Sequence, residues 1–214
     1  NSSFVFKIPI TVLASGNAHK LKELRCMLEI DETQLKSAKD FPEIPEPIED
    51  ADSFIGNALI KARAYAKATG LWAIADDSWL EVDALNGEPG IYSARYAGEQ
   101  KDDEANNDKL LGKLVDGLPR TAHFTSAIAL VAPDGREFTC IGICPGQIIY
   151  ERRGNNGFGY DPLFLPDGYT KTFAELSGDE KNKFSHRSRS VAILKEKLME
   201  LFPEYKERIT SKKI

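Results

Sequence analysis

The stretch TVLASGN, from Thr11 to Asn17, can be interpreted in two ways, and each implies a different kind of protein. With Lys7 and the apolar residues before it, it has some features of a secretory signal. Such a signal needs about 7–15 apolar residues after a basic start. Here Pro9 interrupts the run, and Thr11 and Ser15 dilute it. The alternative is a buried strand that delivers a polar, ligand-binding loop.

The residues after this stretch favour the strand. AHKLKELRCMLEI carries apolar residues at spacings of three and four, which is typical of an amphipathic helix. These residues are Leu21, Leu24, Met27 and Leu28. We therefore expect a strand from Ile8 to Ala14, a tight polar loop, and a helix from about Ala18 to Glu29.

Composition limits the class of protein. The chain has 214 residues, 42% hydrophobic and 29% charged, which suits one domain of about 100–200 residues or a domain with an added lobe. A net charge of -5 argues against general binding to nucleic acid, which needs clustered positive charge. No stretch approaches the roughly 18 apolar residues of a membrane span.

The three cysteines are too few and too scattered for a disulfide framework or a zinc site, so we interpret Cys26, Cys140 and Cys144 as reduced packing residues. We expect a soluble, cytoplasmic protein with one domain over residues 1–214 and no membrane or nucleic-acid partner.

The middle of the chain alternates helices and strands. FPEIPEPIEDAD (41–52) is an acidic, Pro-rich loop, and SFIGNALIKARAYAKATG (53–70) is a helix that Gly70 ends. LWAIADDS (71–78) predicts a short buried strand that breaks into acidic residues. Residues 102–116 predict another helix, weakened by Asn106, Asn107 and Gly112.

The second half predicts a meander and a closing helix. In residues 121–153, two β-rich runs flank the turn PDG, and a third run follows Pro145 and Gly146. SHRSRSVAILKEKLMELF (185–202) is the closing helix. The expected fold is α/β, with an elongated mixed central sheet flanked by helices and two lobes with a substrate cleft between them.

Two polar stretches interrupt apolar elements in the first half. In SGNAHK (15–20), small residues open a helix whose N–H groups can face an anion, with Lys20 one turn inside. An ordinary turn with Ser15 or Asn17 as N-cap remains the alternative. In ADDS (75–78), two adjacent carboxylates point to opposite faces of a strand, so one can bind Mg²⁺ while the other fixes the chain. A turn-forming Asp pair is the alternative, and Glu49 is a candidate second carboxylate.

Two further polar stretches lie in the second half. GFGYDP (157–162) combines glycine flexibility with Phe158 and Tyr160, and a base needs a flat apolar face to stack on. KNKFSHR (181–187) supplies Lys181, His186 and Arg187 near a helix start. Core aromatics beside a turn and a solvated basic face are the respective alternatives. Together the four stretches predict a nucleotide site.

These motifs resemble the inosine triphosphate pyrophosphatase, or Ham1-like, family. LASGNAHKLKEL, FIGNALIKARAYAK, IADDS, GEPGIYSARYAG, GFGYDPLF, FAEL and EKNKFSHRSRS occur in the family's order from residue 12 to about residue 190. The resemblance implies an elongated two-lobed α/β fold, usually as a homodimer. It also implies Mg²⁺-dependent hydrolysis of the purine nucleoside triphosphates ITP, dITP and XTP to monophosphate and pyrophosphate.

The resemblance also implies roles for individual residues. Asp77 matches the acid proposed as general base and metal contact, and Glu49 is expected to share the metal. The positions that match the family's triphosphate loop are Ser15, Gly16, Asn17, Ala18, His19 and Lys20. The positions that match its other substrate contacts are Ser78, Phe158, Gly159, Tyr160, Asp161, Lys181, His186 and Arg187.

Two departures from the family pattern stand out. Trp79 replaces the usual glycine of ADDSG, which is expected to alter the loop or narrow the pocket. Gly56 replaces the glutamate that would complete a capping box with Ser53. Two other functions stay open: a nucleotide hydrolase with another preference, such as a general dNTP or modified-pyrimidine pyrophosphatase, and a nucleotide-binding protein without activity.

Overall fold

The computed structural model describes residues 8–211. Lys7 and both ends of the expected 1–214 domain lie outside this range. The strands are β1 (Thr11–Leu13), β2 (Leu35–Ser37), β3 (Trp72–Val82), β4 (Thr121–Val131), β5 (Glu137–Ile148) and β6 (Phe164–Pro166). The helices are α1 (Ala18–Leu28), α2 (Phe54–Thr69), α3 (Asp103–Lys113), α4 (Gly178–Lys181), α5 (His186–Leu201) and α6 (Pro203–Ser211).

Within the described residues the strands form one mixed sheet in the order β2-β1-β3-β4-β5-β6. β1 pairs in parallel with β2 and with β3, so that Val12 lies opposite Lys36 and Ala73. β5 and β6 are antiparallel. The predicted turn connects β4 to β5, with hydrogen bonds from Ala132 N to Arg136 O and from Gly135 N to Ala132 O. The mixed sheet and the β4–β5 hairpin are therefore confirmed.

The chain divides into two compact units. Among the described residues, the first unit takes 8–77, 127–140 and 190–211, and the second takes Ser78–Ser126 and Ile141–Arg189. Among these residues, no helix combines the length and the apolarity that a membrane crossing requires.

The core of the first unit lies on α1, α2, α5 and the first strands. Leu24 and Leu28 of α1 are buried, as the helical spacing predicts, and belong to one cluster with Leu13 and Leu194. A second cluster joins the alanines of α2 to those of β3. Because alanines leave little side chain between helix and sheet, they allow α2 to pack closely on the sheet.

The core of the second unit is aromatic. The rings of Phe124, Phe164 and Phe173 contact one another, with the centroid of Phe164 4.6 Å from that of Phe124 and 4.9 Å from that of Phe173. These rings share a cluster with Leu80 and Val82 of β3. This core supports the aromatic and basic residues described below.

Several element bounds differ from the prediction. β1 covers only Thr11–Leu13 of the expected strand, and β2, β6, α4 and α6 were not predicted. β3 continues through Asp76, Asp77 and Ser78 instead of ending there. The expected third run after Pro145 is wrong, because β5 continues through Gly146 to Ile148. A Cβ on Gly146 would lie 2.4 Å from the carbonyl oxygen of Leu165, so glycine allows β6 to pair there.

The cysteines also differ from one another. Cys140 and Cys144 are buried packing residues, as expected, whereas Cys26 is exposed on α1. The packing interpretation is therefore wrong for Cys26.

The N-terminus of α2 compensates for the missing glutamate. The Ser53 side chain accepts a hydrogen bond from Gly56 N at 3.0 Å. Asn57, one residue after Gly56, makes a different bond to the preceding chain: its Oδ1 accepts from Ala51 N at 3.0 Å, not from the N-cap Ser53 N. A Cβ on Gly56 would lie 2.8 Å from the Ala51 Cβ. The glycine therefore lets the preceding chain approach closely enough for Asn57 to act.

Candidate active site

The expected phosphate loop connects β1 to α1 and is ordered by its own side chains. Oδ1 of Asn17 accepts hydrogen bonds from the backbone N–H groups of His19 at 2.9 Å and Lys20 at 3.2 Å, so Asn17 is the N-cap of α1. Oγ of Ser15 accepts from Asn17 N at 3.0 Å. Residues 16–19 are exposed at this helix N-terminus, where the helix dipole favours an anion. The N-cap role and an anion-binding role are compatible.

Both aspartates lie in the interior of β3. Asp76 is buried and Asp77 is partly exposed, as neighbouring residues on opposite strand faces can be. Nζ of Lys20 donates a hydrogen bond to the carbonyl oxygen of Asp76 at 3.1 Å. The lysine of the phosphate loop therefore reaches the strand that carries Asp77.

Lys61 of α2 completes this group, and the sequence analysis did not identify it as a site residue. Its Nζ lies 3.4 Å from Oε1 of Glu49 and 3.9 Å from Oδ1 of Asp77. It also donates a hydrogen bond to the carbonyl oxygen of Asp76 at 3.5 Å. Only 13% of the Lys61 side chain is exposed, against 54% for Arg63. The sequence signal was its place beside the alanine face of α2, which distinguishes it from the other cations of that helix.

Opposing influences act on the carboxyl of Asp77. Burial is the largest, and it raises the pKa of Asp77 above its usual range. The positive charges of Lys61 and Lys20 lower this pKa, while Glu49 and Asp76 raise it. Since the net pKa is raised, the Asp77 carboxylate is a stronger base than an exposed aspartate, as a general base requires.

Asp77 and Glu49 fit a magnesium ion as donors. Both carboxylates face the ammonium group of Lys61. Mg²⁺ is usually held by one or two carboxylates and completed by water and substrate phosphates. Within residues 8–211, no three His, Cys, Asp or Glu side chains are grouped to hold a metal. That finding is compatible with a two-carboxylate site.

In the second unit, Ser78 fixes His186. Oγ of Ser78 and Nε2 of His186 are 2.7 Å apart. The imidazole is buried and stacks on Phe124, with centroids 4.8 Å apart and an interplanar angle of 14°. His186 begins α5, so a strand, an aromatic core and a helix together set the position of its ring.

Asp161 organises the Gly-rich loop. Its Oδ2 lies 2.7 Å from Nζ of Lys181 in a buried ion pair, and it accepts a hydrogen bond from Phe158 N at 3.2 Å. A Cβ on Gly157 would lie 2.1 Å from the same oxygen, and Gly157 has a positive φ of 73°. Only glycine suits that position. Asp161 therefore holds the loop and Lys181 together.

Phe158 and Tyr160 have different environments. Phe158 is 37% exposed, and its ring centroid lies 5.5 Å from Nζ of Lys181 and 5.9 Å from Cζ of Arg187. Tyr160 is buried, and its hydroxyl donates a hydrogen bond to the carbonyl oxygen of Ser93 at 2.6 Å. Of the two aromatic residues, only Phe158 offers an exposed face, while Tyr160 matches the core-aromatic alternative.

Trp79 does not disrupt β3. The strand is continuous at this residue, and the indole is 2% exposed. Its Nε1 donates a hydrogen bond to Oε1 of Glu81 at 3.0 Å. The expected change in a loop is therefore wrong, because no loop is present there.

The predicted site residues fall into two groups. The first unit holds residues 15–20, Glu49 and Asp77, and the second holds Ser78, residues 158–161, Lys181, His186 and Arg187. Asp77 and Ser78 are consecutive in β3, so this strand carries one residue or more of each group.

Comparisons with known proteins assign the chain to a family. The model of the Ham1 family matches residues 11–197. A dITP/XTP pyrophosphatase of Desulfotalea psychrophila is 47% identical over 206 residues, which cover 96% of this chain and 92% of the relative. One of Desulforamulus reducens is 50% identical over 194 residues, covering 89% and 96%.

Solved structures give the same result. The structure of a HAM1 protein from Coxiella burnetii has a TM-score of 0.83 and 41% identity, and the match covers 90% of this chain and all of that one. A nucleoside-triphosphatase described as a dITP/XTP pyrophosphatase, from Mycobacterium abscessus, has a TM-score of 0.72 and 48% identity, covering 86% and 97%. On the family match and these identities, the chain belongs to the Ham1 family.

Proposed function

We propose that the protein hydrolyses dITP, ITP and XTP, with Mg²⁺, to the monophosphate and pyrophosphate, and so removes deaminated purines from the nucleotide pool. The enzyme class follows from the comparisons: the chain is a nucleoside-triphosphate pyrophosphatase, like the Ham1 relatives that share about half of its residues. The observation that carries the mechanism is Asp77, a carboxyl of raised pKa faced by Lys61 and Lys20.

In this mechanism Asp77 is the general base. Its carboxylate accepts a proton from the water that attacks the α-phosphorus, and the bond from that phosphorus to the pyrophosphate oxygen breaks. Lys20, Lys61 and the N-terminus of α1 stabilise the negative charge that moves to the leaving group. Asp77 and Glu49 would hold Mg²⁺, which when bound supplies electrostatic polarisation of the phosphate oxygens.

Recognition of the base is assigned to the second unit. Phe158 offers a stacking face, and Arg187 and His186 offer N–H donors. Hypoxanthine and xanthine carry a carbonyl at position six, where adenine carries an amino group. A site built to hydrogen-bond one group rejects the other by about 10⁴-fold or more, because its polar groups are left unpaired.

Arg187→Ala tests this assignment. The variant is expected to narrow the preference for ITP over ATP, since the donor that favours the carbonyl is removed. The ratio of the two kcat/KM values measures the effect. An unchanged ratio would remove Arg187 from base recognition.

The decisive experiment is pyrophosphate release from dITP, ITP, XTP, dATP and dGTP with Mg²⁺, repeated with EDTA. Metal-dependent release from the first three alone is the expected result. Equal release from dATP and dGTP would indicate a general dNTP pyrophosphatase. Binding without release from any of them would indicate a nucleotide-binding protein without activity.

The proposal extends to assembly and location. The family resemblance implies a homodimer, and the few, scattered cysteines favour the cytoplasm. Light scattering coupled to size-exclusion chromatography would measure the first, with twice the 23.8 kDa chain mass expected.

A further inference from the structure

Helix α3 contains two buried asparagines in succession. Asn106 is 2% exposed and Asn107 is 1% exposed. Asparagine is a poor helix former, and a buried amide costs free energy unless it is hydrogen-bonded. Each residue therefore needs a specific explanation.

Asn106 is explained by the stability of the fold. Its Oδ1 accepts a hydrogen bond from Ala97 N at 2.7 Å, and its Nδ2 donates to the carbonyl oxygen of Ala94 at 2.9 Å. Both ends of the amide have partners, and the segment that follows Ser93 is held on α3.

Asn107 is different. Its Nδ2 donates a hydrogen bond to the carbonyl oxygen of Gly159 at 3.1 Å. Its Oδ1 is buried and has no hydrogen-bond partner within residues 8–211. Leucine, which has nearly the same shape, would remove this unsatisfied acceptor and would favour the helix more. Stability alone therefore does not explain Asn107, and what asparagine adds is the N–H directed at Gly159.

Gly159 is held from two sides by the same helix. Oδ2 of Asp103, one turn before Asn107, accepts a hydrogen bond from Gly159 N at 2.9 Å. The N–H and the carbonyl of Gly159 thus both bind α3. Gly159 has a φ of 62° and directly follows Phe158, so the clamp fixes the backbone beside the one exposed aromatic face of the loop.

We infer that Asn107 is a positioning residue for nucleotide binding: with Asp103 it holds Gly159 so that the ring of Phe158 stays exposed beside Lys181 and Arg187. Asn107 acts through the loop and does not itself touch the substrate. The inference rests on the proposed function, because it takes Phe158 as the face on which the base stacks.

Asn107→Leu separates positioning from stability. The variant is expected to unfold at the same temperature as the wild type or a higher one. Its KM for dITP is expected to rise roughly 5- to 100-fold, the range expected when base stacking is weakened, with kcat changed less than threefold. Hydrogen exchange of residues 157–161 is expected to accelerate, which reports the loop independently of activity.

Asn106→Leu is the matched control. It makes the same change one residue earlier, but it removes three hydrogen bonds: one accepted from Ala97 N and two donated to the carbonyl oxygens of Ala94 and Ser93. It is expected to lower the unfolding temperature without accelerating exchange in residues 157–161. Asn107→Ala, measured in the same way, serves if the leucine does not fit.

The measurements distinguish failure of this inference from failure of the proposed function. An unchanged KM for dITP in Asn107→Leu overturns the inference, whether or not exchange accelerates. Inactivity of the wild type on every nucleotide would refute the proposed function instead. In that case hydrogen exchange alone tests whether Asn107 holds Gly159, and unchanged exchange of residues 157–161 in Asn107→Leu overturns the inference.

Discussion

At the scale of single residues, the chemistry of Asp77 depends on neighbours that come from distant parts of the chain. Burial disfavours its charge, and the ammonium groups of Lys61 and Lys20 partly offset that effect. The folded protein thus holds a carboxylate that is less stable than it would be in the unfolded chain. Such a residue is expected to serve activity at some cost to stability.

Asp77→Asn tests both sides of this statement. Turnover is expected to fall about 10²-fold or more if Asp77 is the general base. A carboxyl whose pKa is raised on folding stabilises the fold at pH values below its pKa in the unfolded chain, which is near 3.9. This contribution is lost as the pH rises through the pKa of the folded state. In EDTA, the variant is therefore expected to melt above the wild type at pH 7, and the difference is expected to vanish towards pH 4.

Asp116→Asn, at an exposed position, is the control, because a substitution on the surface usually changes stability little. A melting temperature of Asp77→Asn below that of the wild type at pH 7 would contradict the raised pKa.

Lys61 is expected to set the acidic limb of activity. It is the strongest influence that lowers the pKa of Asp77, so Lys61→Met leaves that pKa higher. Because the base must be ionised, the acidic limb of kcat/KM is expected to move to higher pH. Lys67→Met, on an exposed position of the same helix, is expected to leave the limb in place. An unmoved limb in Lys61→Met would show that another group controls it.

At the scale of elements, β3 belongs to both cores and carries Asp77 and Ser78, the candidate site residues, near its middle. Its first half packs in the first unit, and its second half, from Ser78 onward, packs in the second. Trp79 follows Ser78 and fills buried space in this second half. The buried indole therefore anchors the strand directly after Ser78, the residue that contacts His186.

Trp79→Gly tests this role. Removing a buried tryptophan is expected to lower the free energy of unfolding by about 3–5 kcal/mol, measured by urea denaturation. Trp79→Phe retains most of the ring volume and is expected to lose less. A loss below about 1 kcal/mol in the glycine variant would mean that the structure closes over the vacated space.

The elements that were predicted well are those whose signals are local. α2 begins directly after its N-cap Ser53 and ends directly before Gly70, which has a left-handed backbone conformation. β3 was predicted too short because Asp76, Asp77 and Ser78 look like a turn when read alone. The partners that allow them inside a strand are Lys20, Lys61 and His186.

The candidate site was likewise predicted where its signals are local and missed where they depend on distant contacts. Its polar stretches were found because each breaks an apolar pattern. Lys61 was missed, because its charge resembles that of Arg63, although its place beside the alanine face of α2 distinguishes the two. Tyr160 was expected to offer a stacking face, and its hydrogen bond to Ser93 depends on a contact 67 residues apart in sequence.

At the scale of the whole molecule, the two units share continuous elements. β3, β4, β5 and α5 each begin in one unit and end in the other. Local opening of one unit therefore disturbs strands that belong to both. We expect the molecule to unfold as one cooperative system, although the chain forms two compact units.

The cysteines provide a test, because each unit buries one. Cys140 lies in the first unit and Cys144 in the second. Burial raises the pKa of Cys140 to about 12 and that of Cys144 to about 11. Since the thiolate is the reactive form, neither is expected to react at pH 8 until its unit opens.

With the exposed Cys26 changed to serine, both buried cysteines are expected to be alkylated at the same slow rate, measured by mass spectrometry of peptides. In urea both should react at once. Rates that differ severalfold under native conditions would show that one unit opens while the other stays folded, and would mean that the shared strands do not couple the two cores.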